Sequence, residues 1–218
     1  MRQLIDAPDV RSRKEDAAIL RRAKKKAPAT KKSGGGLSSI ISTIVANVNR
    51  YLGKYIDEYR TVSTEEELSF YIDGAIEYGY IAIDTETTGL DPMVDTMVGM
   101  SLYFPGEKPI YVPIGHVSYV TGSKLKNQID IEAVKRQIKC LGASGCKIIM
   151  CNAVFDIRII YHATGILLEC WWETYLAAML LNENEEHALK KLHAKYVLKG
   201  KEDEFKFDEL FKGVKFLF

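Results

Sequence analysis

Residues 81–90, Ile-Ala-Ile-Asp-Thr-Glu-Thr-Thr-Gly-Leu, constrain this chain more than any other segment. An apolar run of strand type ends in Asp84-x-Glu86 and then breaks through Thr-Thr-Gly. Side chains alternate across a strand, so Asp84 and Glu86 point to one face at its exit, about 7 Å apart along the chain. Two carboxylates side by side, with no basic neighbour in sequence, repel each other unless positive charge sits between them. A hard divalent cation with oxygen ligands, Mg²⁺ or Mn²⁺, is one resolution. A pair of solvated acids at a strand-to-turn junction is the other.

The 218 residues can bury a full core, and one domain with an extension is expected. No apolar run approaches the ~20 residues that span a bilayer, and the N-terminus lacks the apolar centre of a secretory signal. Cys140, Cys146, Cys151 and Cys170 form no C-x-x-C pair. Reduced, mostly buried thiols in a cytosolic (cytoplasmic) protein are expected rather than disulfides or zinc. His116, His162, His187 and His193 show no zinc-binding spacing. The net charge of +1 hides an asymmetry: residues 1–36 hold 11 Lys and Arg against 4 Asp and Glu, the remainder 19 against 25. A basic arm on an acidic body suits a polyanionic partner, with metal ions offsetting carboxylates in the body. A merely solvated tail is the alternative.

The Ser33-Gly34-Gly35-Gly36 run closes the basic arm over 1–36 as a flexible linker. Apolar residues from Leu37 to Tyr59 recur at three- and four-residue spacing, which predicts an amphipathic helix within 37–62 that packs on the core. The rest, 63–218, forms the main domain. Ser63 or Thr64 starts a helix that Gly79 ends. Strands follow at 80–85, 96–104 and 109–114, an antiparallel meander. A helix at 131–141 leads to a short buried strand at 147–151. Asn152 is expected to cap a helix over 153–163, and further helices are expected at 173–181 and 185–197. The fold class is α/β.

Asp156 lies one helical turn beyond Asn152, at a strand–helix junction. Sites in open α/β sheets form at such junctions, so a third carboxylate is expected to meet Asp84 and Glu86. Otherwise Asp156 is simply a first-turn acid favoured by the helix dipole.

The ordered set of segments resembles the 3′→5′ proofreading exonuclease domain of family A (Pol I-like) DNA polymerases, within the DEDD exonuclease superfamily. Three features carry the resemblance over roughly residues 62–218: Asp-Thr-Glu-Thr-Thr-Gly-Leu at 84–90; Val-Gly-Met-Ser-Leu at 98–102 followed by Ile-Tyr-Val-Pro-Ile-Gly-His at 110–116; and Asn152-x-x-x-Asp156 with the segments 174–182 and 187–192. The resemblance implies a ribonuclease H-like mixed sheet, an antiparallel three-strand meander plus parallel strands flanked by helices. It implies two divalent ions, Mg²⁺ or Mn²⁺, that clamp the scissile phosphodiester of a single-stranded DNA 3′ end, for proofreading during DNA replication. Asp84 would bridge both ions, Glu86 would bind the water-activating ion, and Asp156 would help hold the second. Thr87 and Leu90 align with residues at the 3′-terminal nucleotide, and Asn152 and Phe155 with residues lining the single-strand channel. Leu90 as ordinary core and Phe155 as a helix anchor stay open.

One part of the family pattern is missing. The family carries a fourth carboxylate in a Tyr/His-x-x-x-Asp motif, whose Tyr or His orients the attacking water. After Asp156, no Tyr or His in this sequence is followed four positions later by Asp. The chain is therefore expected to be a truncated or split piece, completed by a downstream polymerase domain or a complementing chain, with no membrane partner. Alone it is expected to degrade DNA poorly. Two readings stand: the exonuclease portion of a proofreading polymerase, or a catalytically incomplete nucleic-acid-binding or assembly module. An RNA-trimming relative of the ribonuclease D type is opposed by the Tyr-x-Pro-Ile-Gly-His segment.

Overall fold

The computed structural model describes residues 37–55, 58–118, 121–200 and 212. The basic arm over 1–36 lies outside the described residues. Helix α1 spans Leu37–Tyr55, strand β1 Arg60–Thr61, helix α2 Glu65–Tyr78, strand β2 Tyr80–Thr87, strand β3 Met97–Tyr103 and strand β4 Ile110–Pro113. Helix α3 covers Ile131–Ala143, strand β5 Lys147–Met150, helix α4 Ala153–Thr164, strand β6 Cys170–Glu173, helix α5 Thr174–Leu181 and helix α6 Leu189–Tyr196. The six strands form one sheet in the order β1-β4-β3-β2-β5-β6. The β2, β3 and β4 strands are the antiparallel meander, whereas β5 joins β2, β6 joins β5 and β1 joins β4 in parallel. This is the mixed α/β sheet that the sequence leads one to expect.

Local chemistry sets the element ends. Thr64 Oγ1 accepts from the Glu67 amide at 3.2 Å, and Glu67 reaches back to accept from the Ser63 amide at 3.0 Å, which satisfies two orphan donors of the first turn of α2. Gly79, at φ 90°, ends that helix in the left-handed conformation that a side chain would disfavour. Asp130 caps α3 through the Glu132 amide at 2.9 Å.

Strand β2 alternates cleanly. Ile81, Ile83 and Thr85 are buried, and Asp84 and Glu86 are exposed. The register lines Ile83 up with Leu102 and Ile110, and Thr85 with Met100 and Val112. The apolar ones form the core with Leu68 and Ile72 of α2, Ile138 and Leu141 of α3, and Ile159 and Ile160 of α4. Burying one Ile or Leu contributes about 1.5–3 kcal/mol, so a one-residue slip of β2, which would expose Ile81 and Ile83 together, is strongly opposed. The opposite face carries Asp84, Ser101 and Tyr111 in one row and Glu86, Gly99 and Pro113 in the next.

Five expectations change. The N-terminal helix reaches only Tyr55, and Arg60–Thr61 instead pairs with β4 while Val62 enters the core. Among the described side chains of α1, none belongs to the core; Ile41 and Val45 are about half exposed. Strand β6 has no counterpart among the predicted elements; it pairs with β5, and the helix expected at 173–181 follows it as Thr174–Leu181. The last helix starts at Leu189 rather than at 185, since Asn182 organises the preceding turn: its amide donates to Glu185 at 2.7 Å and its Oδ1 accepts from the Asn184 amide at 3.1 Å. All four cysteines are free, with Cys140 exposed and the others half-buried, so none is a core thiol. Among the described residues, no helix is long and apolar enough to cross a membrane.

Candidate active site

The parallel strands β2, β5 and β6 all end at one edge of the sheet, and the acids gather there. Asp84 and Glu86 project from the open face at the exit of β2. A bulge follows at once: Glu86 pairs with Gly99 but Thr87 with Met97, so Val98 is skipped. The Val98 carbonyl is satisfied instead by the Ile114 and Gly115 amides, each at 2.9 Å. Such a bulge re-aims the strand end and stops the ladder.

Asp156 reaches this edge from the first turn of α4. It is 3% exposed. Its Oδ1 accepts from the Thr85 amide at 2.9 Å and from Thr85 Oγ1 at 2.6 Å. Strand β5 pairs with β2 only as far as Ala82, so Asp156 takes up a strand donor beyond the end of that ladder. Burial raises the Asp156 carboxyl above its ordinary range, against the lowering effect of the Thr85 bonds.

Water reaches the Asp84 side chain, yet crowding by surrounding atoms, then the charges of Asp156 and Glu86, push its carboxyl up to about 6. No lysine or arginine is among the causes. Asp84 thus lies near enough to Asp156 and Glu86 to feel their charges. The donor set, all carboxylate oxygen, fits a hard divalent cation in chemistry. It is not a closed cage: among the described residues, no three His, Cys, Asp or Glu side chains converge closely enough to hold an ion. Asp156 is turned toward Thr85, whereas Asp84 and Glu86 stand on the open face. Beside Asp84 that face forms a cleft of about 320 Å³, lined among others by Ser101, Tyr103, Cys151, Thr174 and Leu189.

The remaining expected residues take these places. Thr87 Oγ1 donates to the Gly89 carbonyl at 2.6 Å, tightening the turn after β2. Leu90 is 90% exposed, so it is not core; Met93 and Val94 of the same loop are exposed too. Asp95 ties the loop by accepting from Thr88 Oγ1 at 2.8 Å and from the Asp91 amide at 2.9 Å. Phe155 is half-buried against the core and helps anchor α4.

Asn152 does not cap α4 with its side chain, as the sequence suggested. It sits at φ 61°, and a capping side chain needs extended backbone to reach the N2 or N3 amide; asparagine is instead one of the few residues that tolerates the left-handed region. Glu173, at the end of β6, takes over. One of its oxygens accepts from the Asn152 amide and, at 3.4 Å, from the Ala153 amide, and the other accepts from the Leu176 amide. A single carboxylate thus ties the N-termini of α4 and α5 together. Sequence spacing gives no sign of it, because 20 residues separate Glu173 from Ala153. Thr85 as the anchor of Asp156 is equally hidden, being a buried-face residue between two exposed acids.

A family profile described as 3′-5′ exonuclease matches residues 59–209, well over half of the chain. The chain belongs to this 3′-5′ exonuclease family. DNA polymerase I of Borreliella burgdorferi is 30% identical over 141 residues, covering 65% of this chain and 15% of that protein. DNA polymerase I of Treponema pallidum is 27% identical over 163 residues, covering 60% of this chain and 16% of that protein. The chain therefore spans about one seventh of the length of these polymerases, over their exonuclease region. Solved structures of Brucella melitensis NrnC with bound Mg²⁺ and of Escherichia coli RNase D are 18% and 14% identical, with TM-scores of 0.45 and 0.47. They cover 70% and 64% of this chain, and 69% and 33% of their own.

Proposed function

We propose that this chain is the proofreading 3′→5′ exonuclease portion of a Pol I-like DNA polymerase, acting on the single-stranded 3′ end of DNA during replication. The observation that carries the reading is the placement of Asp84, Glu86 and Asp156 at one sheet edge, where crowding by surrounding atoms, then the charges of Asp156 and Glu86, push Asp84 up to about 6. Divalent cations, Mg²⁺ or Mn²⁺, would be held by Asp84 and Glu86 on the open face, with Asp156 offering Oδ2, the oxygen that Thr85 does not engage. When bound, such ions lower the pKa of a water and offset charge on the phosphodiester. The chain's own residues bind and orient. Asp84 and Glu86 present fixed carboxylates from a core-locked strand, and Thr85 keeps Asp156 from swinging away. The exposed Leu90 stands ready to abut the terminal base, an apolar contact that reads no base edge. Thr87 holds the Leu90 loop in shape, and Asn152 and Phe155 flank the strand path at the start of α4. The basic arm over 1–36 would add sequence-independent affinity for the phosphate backbone.

A second reading, a catalytically incomplete nucleic-acid-binding or assembly module of a split or truncated polymerase, is favoured by two observations: among the described residues the three acids do not close on one ion, and no Tyr/His-x-x-x-Asp follows Asp156. One experiment separates the two. The chain is incubated with 5′-labelled single-stranded DNA and Mg²⁺ or Mn²⁺, alone and with the next segment of a Pol I-like exonuclease domain supplied in trans. The first reading expects weak digestion alone and a ladder from the 3′ end on complementation, abolished by Asp84→Ala. Binding of 3′ ends without digestion in either case establishes the second.

A further inference from the structure

The row of residues facing Glu86 contains a device that the three acids do not explain. Gly99 of β3 lies directly across from Glu86, and Tyr111 of β4 lies one row back, across from Ser101 and so in line with Asp84. The Tyr111 phenol does not stay in its own row. It leans forward over Gly99: a Cβ built on Gly99 would lie 2.0 Å from Tyr111 Oη and 2.5 Å from Cζ. Glycine is needed here for space. Directly opposed residues on antiparallel strands have Cβ positions about 5 Å apart, so the hydroxyl hangs beside Glu86. The charge of Glu86, after desolvation, helps to raise the Tyr111 phenol above its ordinary range.

The hydroxyl is also held. Tyr111 Oη and His116 Nε2 are 2.6 Å apart. His116 is clamped through its backbone, its amide donating to Gln128 Oε1 at 2.6 Å and its carbonyl accepting from Gln128 Nε2 at 2.9 Å. In the tautomer in which Nε2–H donates to Oη, the phenolic hydrogen is left free to turn toward the open face beside Glu86. No direct hydrogen bond joins Tyr111 to Glu86, so the two would be linked through one oxygen of a water or a phosphate.

We propose that Tyr111, fixed by His116 over Gly99, is a positioning residue that orients the oxygen bridging to Glu86 and so sets the Glu86 carboxylate toward its cation. The proposal rests on the reading of Asp84 and Glu86 as cation ligands. Outer partners of this kind hold a ligand's orientation, and losing one weakens metal binding by about tenfold or more.

The test measures Mn²⁺ binding to the 218-residue chain by the loss of the free-ion electron paramagnetic resonance signal, beside thermal melting of each variant. Wild type, Asp84→Ala, Tyr111→Phe, Gly99→Ala and the Gly99→Ala/Tyr111→Phe double variant are compared. Wild-type binding sensitive to Asp84→Ala is expected, with Tyr111→Phe and Gly99→Ala each weakening it by about tenfold. The double variant should be no weaker than Gly99→Ala alone, since Tyr111→Phe removes the hydroxyl that Gly99→Ala displaces from beside Glu86. Tyr111→Phe should melt within about 2 °C of wild type, because an unaltered fold with weakened binding is what a merely structural tyrosine cannot produce. Wild-type affinity in Tyr111→Phe, or full additivity in the double variant, overturns the positioning role while leaving the Asp84 site standing. Binding indifferent to Asp84→Ala overturns both the site and the proposal.

Discussion

Asp84→Asn is expected to make the metal-free protein more stable, and only above a definite pH. Asp84 titrates at about 6 in the folded chain against an ordinary 3.8. A raised folded pKa means that the folded state binds the proton more tightly, so stability is lost as pH climbs from about 4 to about 6, and the penalty is complete above that. For a fully desolvated group the shift would amount to about 3 kcal/mol, at about 1.4 kcal/mol per unit. Asp84 is exposed to water, and screening reduces the figure to about 1 kcal/mol. Asparagine keeps the shape and removes the charge. Melting temperatures of wild type and D84N in EDTA should therefore coincide near pH 4 and diverge by about 2–4 °C by pH 7, with D84N higher. Adding Mg²⁺ at pH 7 should raise wild type alone. A D84N advantage that is the same at pH 4 and pH 7, or a D84N protein less stable at pH 7, would refute the claim that crowding and neighbouring charge hold the Asp84 carboxyl up.

Three further outcomes are expected. D156A strands the Thr85 amide and hydroxyl in a buried setting and should cost about 2–3 kcal/mol in urea unfolding, whereas D156N keeps the Oδ1 acceptor and should cost under about 1 kcal/mol; equal losses would mean that the Thr85 bonds contribute little. E173A should lower stability by about 1–2 kcal/mol and speed amide exchange at Ala153 and Leu176 together, and exchange at only one of them would deny the shared cap. Deleting residues 1–36 should weaken DNA binding and flatten its salt dependence; unchanged affinity at low salt would reduce the arm to a tether.

Much of this molecule is written in local pattern. The alternation in 80–87 alone puts Asp84 and Glu86 on one face, and Thr64 and Gly79 mark the ends of α2 through chemistry confined to a few residues. The meander of β2, β3 and β4 follows from short links between strand-like runs. What sequence spacing does not contain is register. Only the pairing of Glu86 with Gly99, and of Asp84 with Ser101 and then Tyr111, brings a phenol from β4 beside an acid on β2. Likewise Asp156 depends on where β5 stops pairing, and α4 depends on Glu173, a cap borrowed from the neighbouring strand. The short strand β1 went unread for the same reason. Periodicity says which face of an element is apolar, but the surface that covers it is decided by the burial of the whole sheet, and that is a property of tertiary structure alone.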